Sequence, residues 1–567
     1  MRDRRWMLAG HAVALLLLTG CVDIPDHGEP QPVSGMTSAA GGPGPPVEVL
    51  APKGGEQPDE IVRGFLAASA SNVRTRPSAR LFLTPDAARS WEDDASATVI
   101  AQDATRPDAA AGQVTLTGQI LGRVDRDGVY NAVREDLRQV LSLVQVDGEW
   151  RIDNPPPGVL LRVDDFRRAY VSYNLYFLDP TGTTVVPDPR YFLSGSTARA
   201  NSLVEELIEG PSPFLAPAVR TELSGDVALV SNVQEVRDID IDLTGLGERS
   251  PASLQGLSAQ LIWTLRQVSI TELTLRSDGQ ILSVPGVGVT QTGSDWQSYD
   301  PNAVPVDDIG HFVSQGALLT VEGQPVPGPA GEGAYGLTSV GVSSGLDFVA
   351  GVAPAPGGSS LLIGEYGGAL GPVLAGRSFS SPVWVARQQE VWTVRNGTEV
   401  VRVPVGAAPQ TVDTADLLGL GPIRALRVAR DGTRVAIVAG EPGAGELYLG
   451  HVARSGSTVA VAGFVPLFTG LGNVSDVSWA TATQLLFLAV DPADGRTKPW
   501  VISIDGGVLA SQPDNNLSGV PTAIAAAPGR PALVSSDGAM YRLDGTAWTT
   551  LVRGLPFFTG TAPSYPG

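Results

Sequence analysis

Three sets of side chains in this sequence have the types that do chemistry elsewhere. Gly341-Val342-Ser343-Ser344-Gly345 matches G-x-S-x-G. A serine nucleophile in that motif needs a strand-to-helix turn, then an acid and a histidine further along the chain. Here the strand-like run "LDFVAGVA" follows, and His451 is the only later histidine. The match therefore reads as a turn between strands. Asp238, Asp240 and Asp242 alternate in "RDIDIDLTG". A calcium loop of the EF-hand type wants glycine at its sixth position and glutamate at its twelfth, and Leu243 and Arg249 stand there. On a strand the three carboxylates share one face and Ile239 and Ile241 the other, which predicts a solvated edge. The four histidines, His11, His27, His311 and His451, are scattered, with no H-E-x-x-H and no Cys/His cluster. That excludes the usual zinc-hydrolase pattern. No pair of carboxylates stands out for general acid–base work. The reading is of a protein with no catalytic residue, cofactor or metal ligand.

Cys21 is the only cysteine of 567 residues, so the chain has no internal disulfide and no thiolate metal site. Its surroundings explain it. Arg2, Arg4 and Arg5 precede an apolar stretch from Leu8 to Leu18, too short for a spanning helix of about twenty residues and laid out as a secretory signal. Leu18-Thr19-Gly20-Cys21 then resembles a bacterial lipobox. The resemblance implies cleavage after Gly20 and a diacylglyceryl thioether on Cys21. With two or more acyl chains the anchor lasts, which places the protein at the cell membrane on its extracytoplasmic face. The net charge of −20 makes nucleic acid an unsuitable partner.

Residues 1–20 are thus a signal peptide. Residues 21–56, rich in Pro, Gly, Ser and Ala without apolar periodicity, read as a disordered tether. From 57 to 157 the pattern changes. Ile61, Val62, Phe65 and Leu66 fall on one helix face. A second helical stretch surrounds "ARLFLTPDAARSW". Alternating runs follow in "ATVIAQD", "GQVTLTGQILGRVD" and "QVLSLVQVDGEWRID", with a hairpin turn at Asp147-Gly148. Helices followed by a curved sheet resemble the NTF2-like cone, and the cone is expected to be filled with side chains.

From 158 to 300 the strand "SYNLYFLDP" leads to a helix with Leu203, Val204, Leu207 and Ile208 as its stripe, stopped at Gly210-Pro211. A second helix is capped by Ser250 with Pro251 in its first turn. A hairpin then turns at Asp278-Gly279. This order resembles the GerMN domain. Residues 301–567 carry repeats. Val340, Trp384, Leu426, Val477 and Ile524 occupy equivalent places at spacings of 44, 42, 51 and 47, the length of a propeller blade. Five units are legible. A sixth is expected from the strand near 320 closing against the C-terminal residues. A cut near Pro301 is expected to leave two folded pieces. The fold class is therefore multidomain α+β and all-β: cone, GerMN-like domain, then a β-propeller of about five or six blades.

Lipobox, tether, cone, GerMN-like module and propeller, in that order, resemble the LpqB family of actinobacterial lipoproteins. The resemblance implies a lipid-anchored accessory protein that contacts the extracytoplasmic domain of an MtrB-type sensor kinase and modulates its signalling in cell-envelope homeostasis, with a cell-wall component as a further partner. Two alternatives stay open: a receptor for a solute or cell-wall ligand, and a carboxylate-dependent cell-wall enzyme with its site in the propeller channel.

Overall fold

The structure is a computed structural model that describes residues 51–567 apart from 109, 196–197, 234–236, 418 and 554–561. Helix α1 (Pro58–Ser69) opens with the Gln57 N–H donating to the Glu60 carboxylate at 2.7 Å and with Pro58 in its first turn. Its predicted stripe of Ile61, Val62, Phe65 and Leu66 is buried. The second helical stretch is broken in two, α2 (Pro77–Arg80) and α3 (Pro85–Ser90). Pro85 has no N–H to continue a helix, and Thr84 caps α3 by accepting from the Ala87 N–H at 3.2 Å. In the gap Leu83 bridges to Ile152 of the sheet.

That sheet comprises β1 (Ala97–Asp108), β2 (Gln113–Val124), β3 (Tyr130–Val146), β4 (Glu149–Ile152) and β5 (Val159–Arg162), in the order β4-β3-β2-β1-β5. Asp147 and Gly148, at φ 54° and 85°, form the β3–β4 turn. The cone is filled: Ile100, Val114, Leu116 and Leu141 are fully buried beneath Phe65 and Trp91. The sheet runs past the boundary expected at residue 157, because β5 returns parallel to β1. Gly158 makes that return, at φ 73° with the Ser96 carbonyl oxygen only 2.3 Å from where a Cβ would sit.

Helix α4 (Val163–Ala169) leads to the hairpin β6 (Tyr170–Leu178) and β7 (Val185–Leu193), then to α5 (Arg199–Glu209), which ends at Gly210 with φ 112°. Strands β8 (Ala228–Leu229) and β9 (Asp238–Thr244), helix α6 (Pro251–Leu265), and β10 (Glu272–Ser277), β11 (Gln280–Ile281) and β12 (Thr290–Thr292) complete the domain. Strands β9 and β10 are parallel neighbours, joined by α6 as the crossover. Ser250 caps α6, accepting from the Ser253 N–H at 3.2 Å. Gln260 and Thr264 are buried on α6, yet both are satisfied by β6: Gln260 Nε2 donates to the Tyr176 carbonyl at 3.1 Å, and Thr264 Oγ1 accepts from the Tyr176 N–H at 3.1 Å. Burial of these polar groups is tolerated because each is paired.

Five four-stranded antiparallel sheets follow, with innermost strands Ser339–Val342, Val383–Val385, Ile423–Val428, Gly472–Thr481 and Pro521–Ala525. Val340, Trp384, Leu426, Val477 and Ile524 lie one on each, as the repeat spacing predicts. Indole groups tie neighbouring blades: Trp384 Nε1 donates to the Gly341 carbonyl at 3.0 Å and Trp479 Nε1 to the Arg427 carbonyl at 2.9 Å. A sixth sector joins both ends of the region. His311–Ser314 pairs with Ala317–Thr320, and on its inner side His311 and Ser564 exchange backbone hydrogen bonds of 2.8 and 2.9 Å.

Candidate functional site

Gly20 and Cys21, the predicted cleavage and lipidation residues, lie outside the described residues. The other sequence motifs have structural places. Ser343 and Ser344 form a blade turn. Ser343 Oγ accepts from the Phe348 N–H at 2.8 Å, and Ser344 Oγ donates to Asp308 at 2.7 Å. The histidines stand elsewhere: His311 Nε2 faces the Tyr366 hydroxyl at 2.9 Å, and His451 meets Phe214 edge-on at 5.6 Å. On β9, Asp240 pairs with Arg276 at 3.0 Å and Asp242 accepts from the Gly279 N–H at 3.0 Å. The aspartates alternate with buried Ile239, Ile241 and Leu243 on a solvated face, but β9 is not the edge expected from sequence, because it pairs with both β8 and β10. Among the described residues no group of three or more His, Cys, Asp or Glu is placed to hold a metal ion.

Two constructions that the motifs did not reveal dominate the molecule. The first is a junction along β7. Tyr191 packs in one cluster, its ring tilted, against Tyr130 and Phe166 of the cone side, at centroid distances of 5.6 and 5.1 Å. Its hydroxyl reaches the blade turn at Asp505–Gly507, where a Cβ on Gly507 would come within 2.5 Å of it. Burial and the neighbouring Asp505 carboxylate push the Tyr191 hydroxyl pKa upward, so it stays protonated and donates. Four residues earlier on the same strand, the Pro187 carbonyl accepts from the guanidinium of Arg434, a fully buried propeller residue. Arg434 sits 3.9 Å from the buried Asp431. Asp431 in turn accepts from the Thr433 N–H at 2.9 Å and hydroxyl at 2.7 Å. Burial raises the Asp431 carboxyl pKa and lowers that of Arg434, while each charge opposes the other's shift. Asp188 accepts from the Ser212 N–H at 2.7 Å and pairs with Arg190 at 3.0 Å. Cone, GerMN-like domain and propeller thus meet on one strand. The linker is tied to the propeller at one point: half-buried Asn302 accepts from the Ala482 N–H at 2.8 Å. The expected clean cut near Pro301 would sever a seam built from desolvated polar contacts.

The second construction is the propeller channel. A cavity of about 80 Å³ lies between the innermost strands and residues 562–567, room for ordered water and small groups. At one end Asp308, fully buried, accepts from Ser344 Oγ and, at 2.8 Å, from the Gly345 N–H. Arg430 stands 3.8 Å from Asp308 and donates to Ser344 Oγ at 3.2 Å and to the Pro566 carbonyl at 2.7 Å. Burial lowers the Arg430 pKa, with the Asp308 charge opposing. Deeper in the ring Arg427 pairs with buried Asp476 at 3.2 Å, and Asp476 also accepts from the Ile524 N–H at 2.9 Å. These carboxylates are consumed by structural partners. Burial also drives the His311 pKa down to about 4.

Comparison with known proteins follows this architecture. Three family models match in sequence: "Lipoprotein LpqB, N-terminal domain" over residues 51–167, "Sporulation and spore germination" over 174–283, and "Lipoprotein LpqB beta-propeller domain" over 312–566. Lipoprotein LpqB of Rhodococcus opacus (strain B4) is 31% identical over 605 aligned residues, covering 100% of this chain and 99% of the relative. The chain belongs to the LpqB lipoprotein family. Lipoprotein LpqB of Mycolicibacterium smegmatis is 32% identical, with 94% of each chain covered. Among solved structures, TolB from Acinetobacter baumannii aligns with 61% of this chain and 90% of its own at 11% identity and a TM-score of 0.36. The LpqB-family order of domains is the one expected from sequence, with the α+β region first and the propeller last.

Proposed function

We propose that this LpqB-family chain is a lipid-anchored extracytoplasmic accessory protein without enzymatic activity, which binds the extracytoplasmic domain of an MtrB-type sensor kinase and modulates its signalling in envelope homeostasis. The observation that carries the reading is the match to LpqB lipoproteins along the whole chain, together with the lipobox at Leu18–Cys21. The architecture supports it. Acidic clusters and serine motifs are tied up in turns and ion pairs, and a buried junction holds three domains as one presenting surface. In this reading the tether lifts that surface from the membrane and the kinase is held mainly by residues 57–300, while the propeller meets a cell-wall component. The test is photocrosslinking of the full lipidated chain in native membranes, with the captured protein identified by mass spectrometry. Capture of the kinase through positions in 57–300 is expected. Capture through the propeller alone would refute that division of labour, and failure to capture the kinase from any position would refute the partnership.

A further inference from the structure

The sixth sector of the propeller has an unusual innermost strand. In the third blade the innermost strand Ile423–Val428 pairs at five register positions with its neighbour. Residues 562–567 pair with His311–Ser314 at one position only, Ser564 with His311. Pro563 and Pro566 have no N–H to extend that ladder. Other contacts hold the segment. The Gly567 N–H donates to the Val342 carbonyl at 3.0 Å, and the Ser344 N–H to the Gly567 carbonyl at 2.8 Å. Arg430 grips the Pro566 carbonyl, and the Tyr565 hydroxyl donates to the Pro531 carbonyl at 2.7 Å. The channel cavity runs along the segment, and Ser564 Oγ is buried there without a hydrogen-bond partner.

These contacts read specific features of the segment. The Tyr565 hydroxyl has a dedicated acceptor, and its ring lies beside Gly310, where a Cβ would approach to 3.3 Å. At position 567 a Cβ would fall 2.6 Å from the Trp384 carbonyl oxygen, so a side chain there would force the segment or the Trp384 backbone to move. The seat therefore selects an extended Pro-Ser-Tyr-Pro-Gly chain by one hydroxyl, one glycine and backbone carbonyls. It does so beside the channel cavity and with a single rung of sheet pairing.

We propose that residues 562–567 are a displaceable strand, and that their seat in the channel is a docking site for an extended Tyr-Pro-Gly-containing segment of a partner protein, which enters as the innermost strand of the sixth sector. Strand addition of this kind takes affinity from main-chain hydrogen bonds and specificity from side-chain pockets. The resident segment competes from the same chain, so it sets a threshold that an incoming segment must exceed. The site is independent of the kinase reading.

The probe is the fluorophore-labelled peptide Ala-Pro-Ser-Tyr-Pro-Gly, titrated by anisotropy against the full exported chain and against its Tyr565→Ala/Gly567→Ala double variant. The double variant, melting as the native protein does, should bind at least tenfold more tightly than the native chain. A peptide ending in alanine should bind it at least tenfold more weakly than the glycine peptide. Equal binding by native and variant chains, or none by a folded variant, would overturn the proposal. So would a doubled mass in light scattering, which would assign the seat to a second copy's segment. A variant that fails to fold leaves a readout on the native chain. The amides of Ser344 and Gly567 should exchange hydrogen at least a hundredfold faster than those of Val435–Val438, and equal protection would refute displacement.

Discussion

Replacing His311 by glutamine should flatten the acid side of the protein's stability profile. His311 is fully buried at the closure of the propeller, and burial lowers its pKa from 6.5 to about 4, against the opposing pull of the Asp308 charge and a backbone contact at Ile309. Between those two values the unfolded chain binds a proton that the folded chain refuses. Stability from this group is therefore complete above pH 6.5, falls as pH drops through the window, and levels out below pH 4. For one site with these values the loss is about 2 kcal/mol at pH 5 and about 3 kcal/mol once both states are protonated. Glutamine keeps a polar atom for the Tyr366 hydroxyl and does not titrate. The assay is urea unfolding of native and His311→Gln proteins at pH 7.5 and 5.0, followed by tryptophan fluorescence. The variant starts less stable at pH 7.5, but its loss on going to pH 5.0 should be smaller than the native loss by about 2 kcal/mol. Comparing the two losses removes the contribution of other groups, including Glu206, whose pKa burial pushes up to about 7 in the opposite sense. Equal losses would show that His311 does not carry this proton linkage.

Three further outcomes are expected. Arg434→Ala should cost about 3–5 kcal/mol in denaturant midpoint analysis, because it leaves Asp431 as a buried uncompensated charge; adding Asp431→Asn should recover part of that loss, and no recovery would show that the charge is not the cause. Cys21→Ala should leave the chain unprocessed or shed from the membrane pellet, while normal pelleting and a normal acylated mass would refute lipidation there. Exchange of Pro30–Pro52 for an unrelated Gly/Ser/Pro segment of equal length should preserve function in a complementation assay, whereas severe loss with intact anchoring would make the tether a binding segment.

Much of the fold was legible because it rests on local rules. The stripe of α1, the cap at Ser250, the stop at Gly210, the turns at Asp147-Gly148 and Asp278-Gly279, and the blade period all depend on residues a few positions apart. The errors also have local causes: Pro85 broke a stretch whose apolar pattern read as one helix, and β5 was too short after Pro155–Pro157 to show a period. The junction and channel had no such signal. "RDGTRVAIVAG" reads as a turn and a strand whether or not its second arginine meets Pro187, and "VPVDDIG" does not announce that Asp308 is buried beneath Ser344 and Arg430.

By itself the sequence determined the order of domains, the blade period and the local caps, turns and helix stops. Backbone dihedral preferences and side-chain periodicity act over one turn or one strand, and they are written in adjacent residues. Only the tertiary structure decided that β7 joins the three domains, that Arg434 is desolvated against a carbonyl 247 positions away, and that residues 562–567 complete the sixth sector beside the channel cavity. Those outcomes depend on which surfaces exclude water from each other. Desolvation is a property of the assembled packing, shared among distant residues, and no local stretch of chain encodes it.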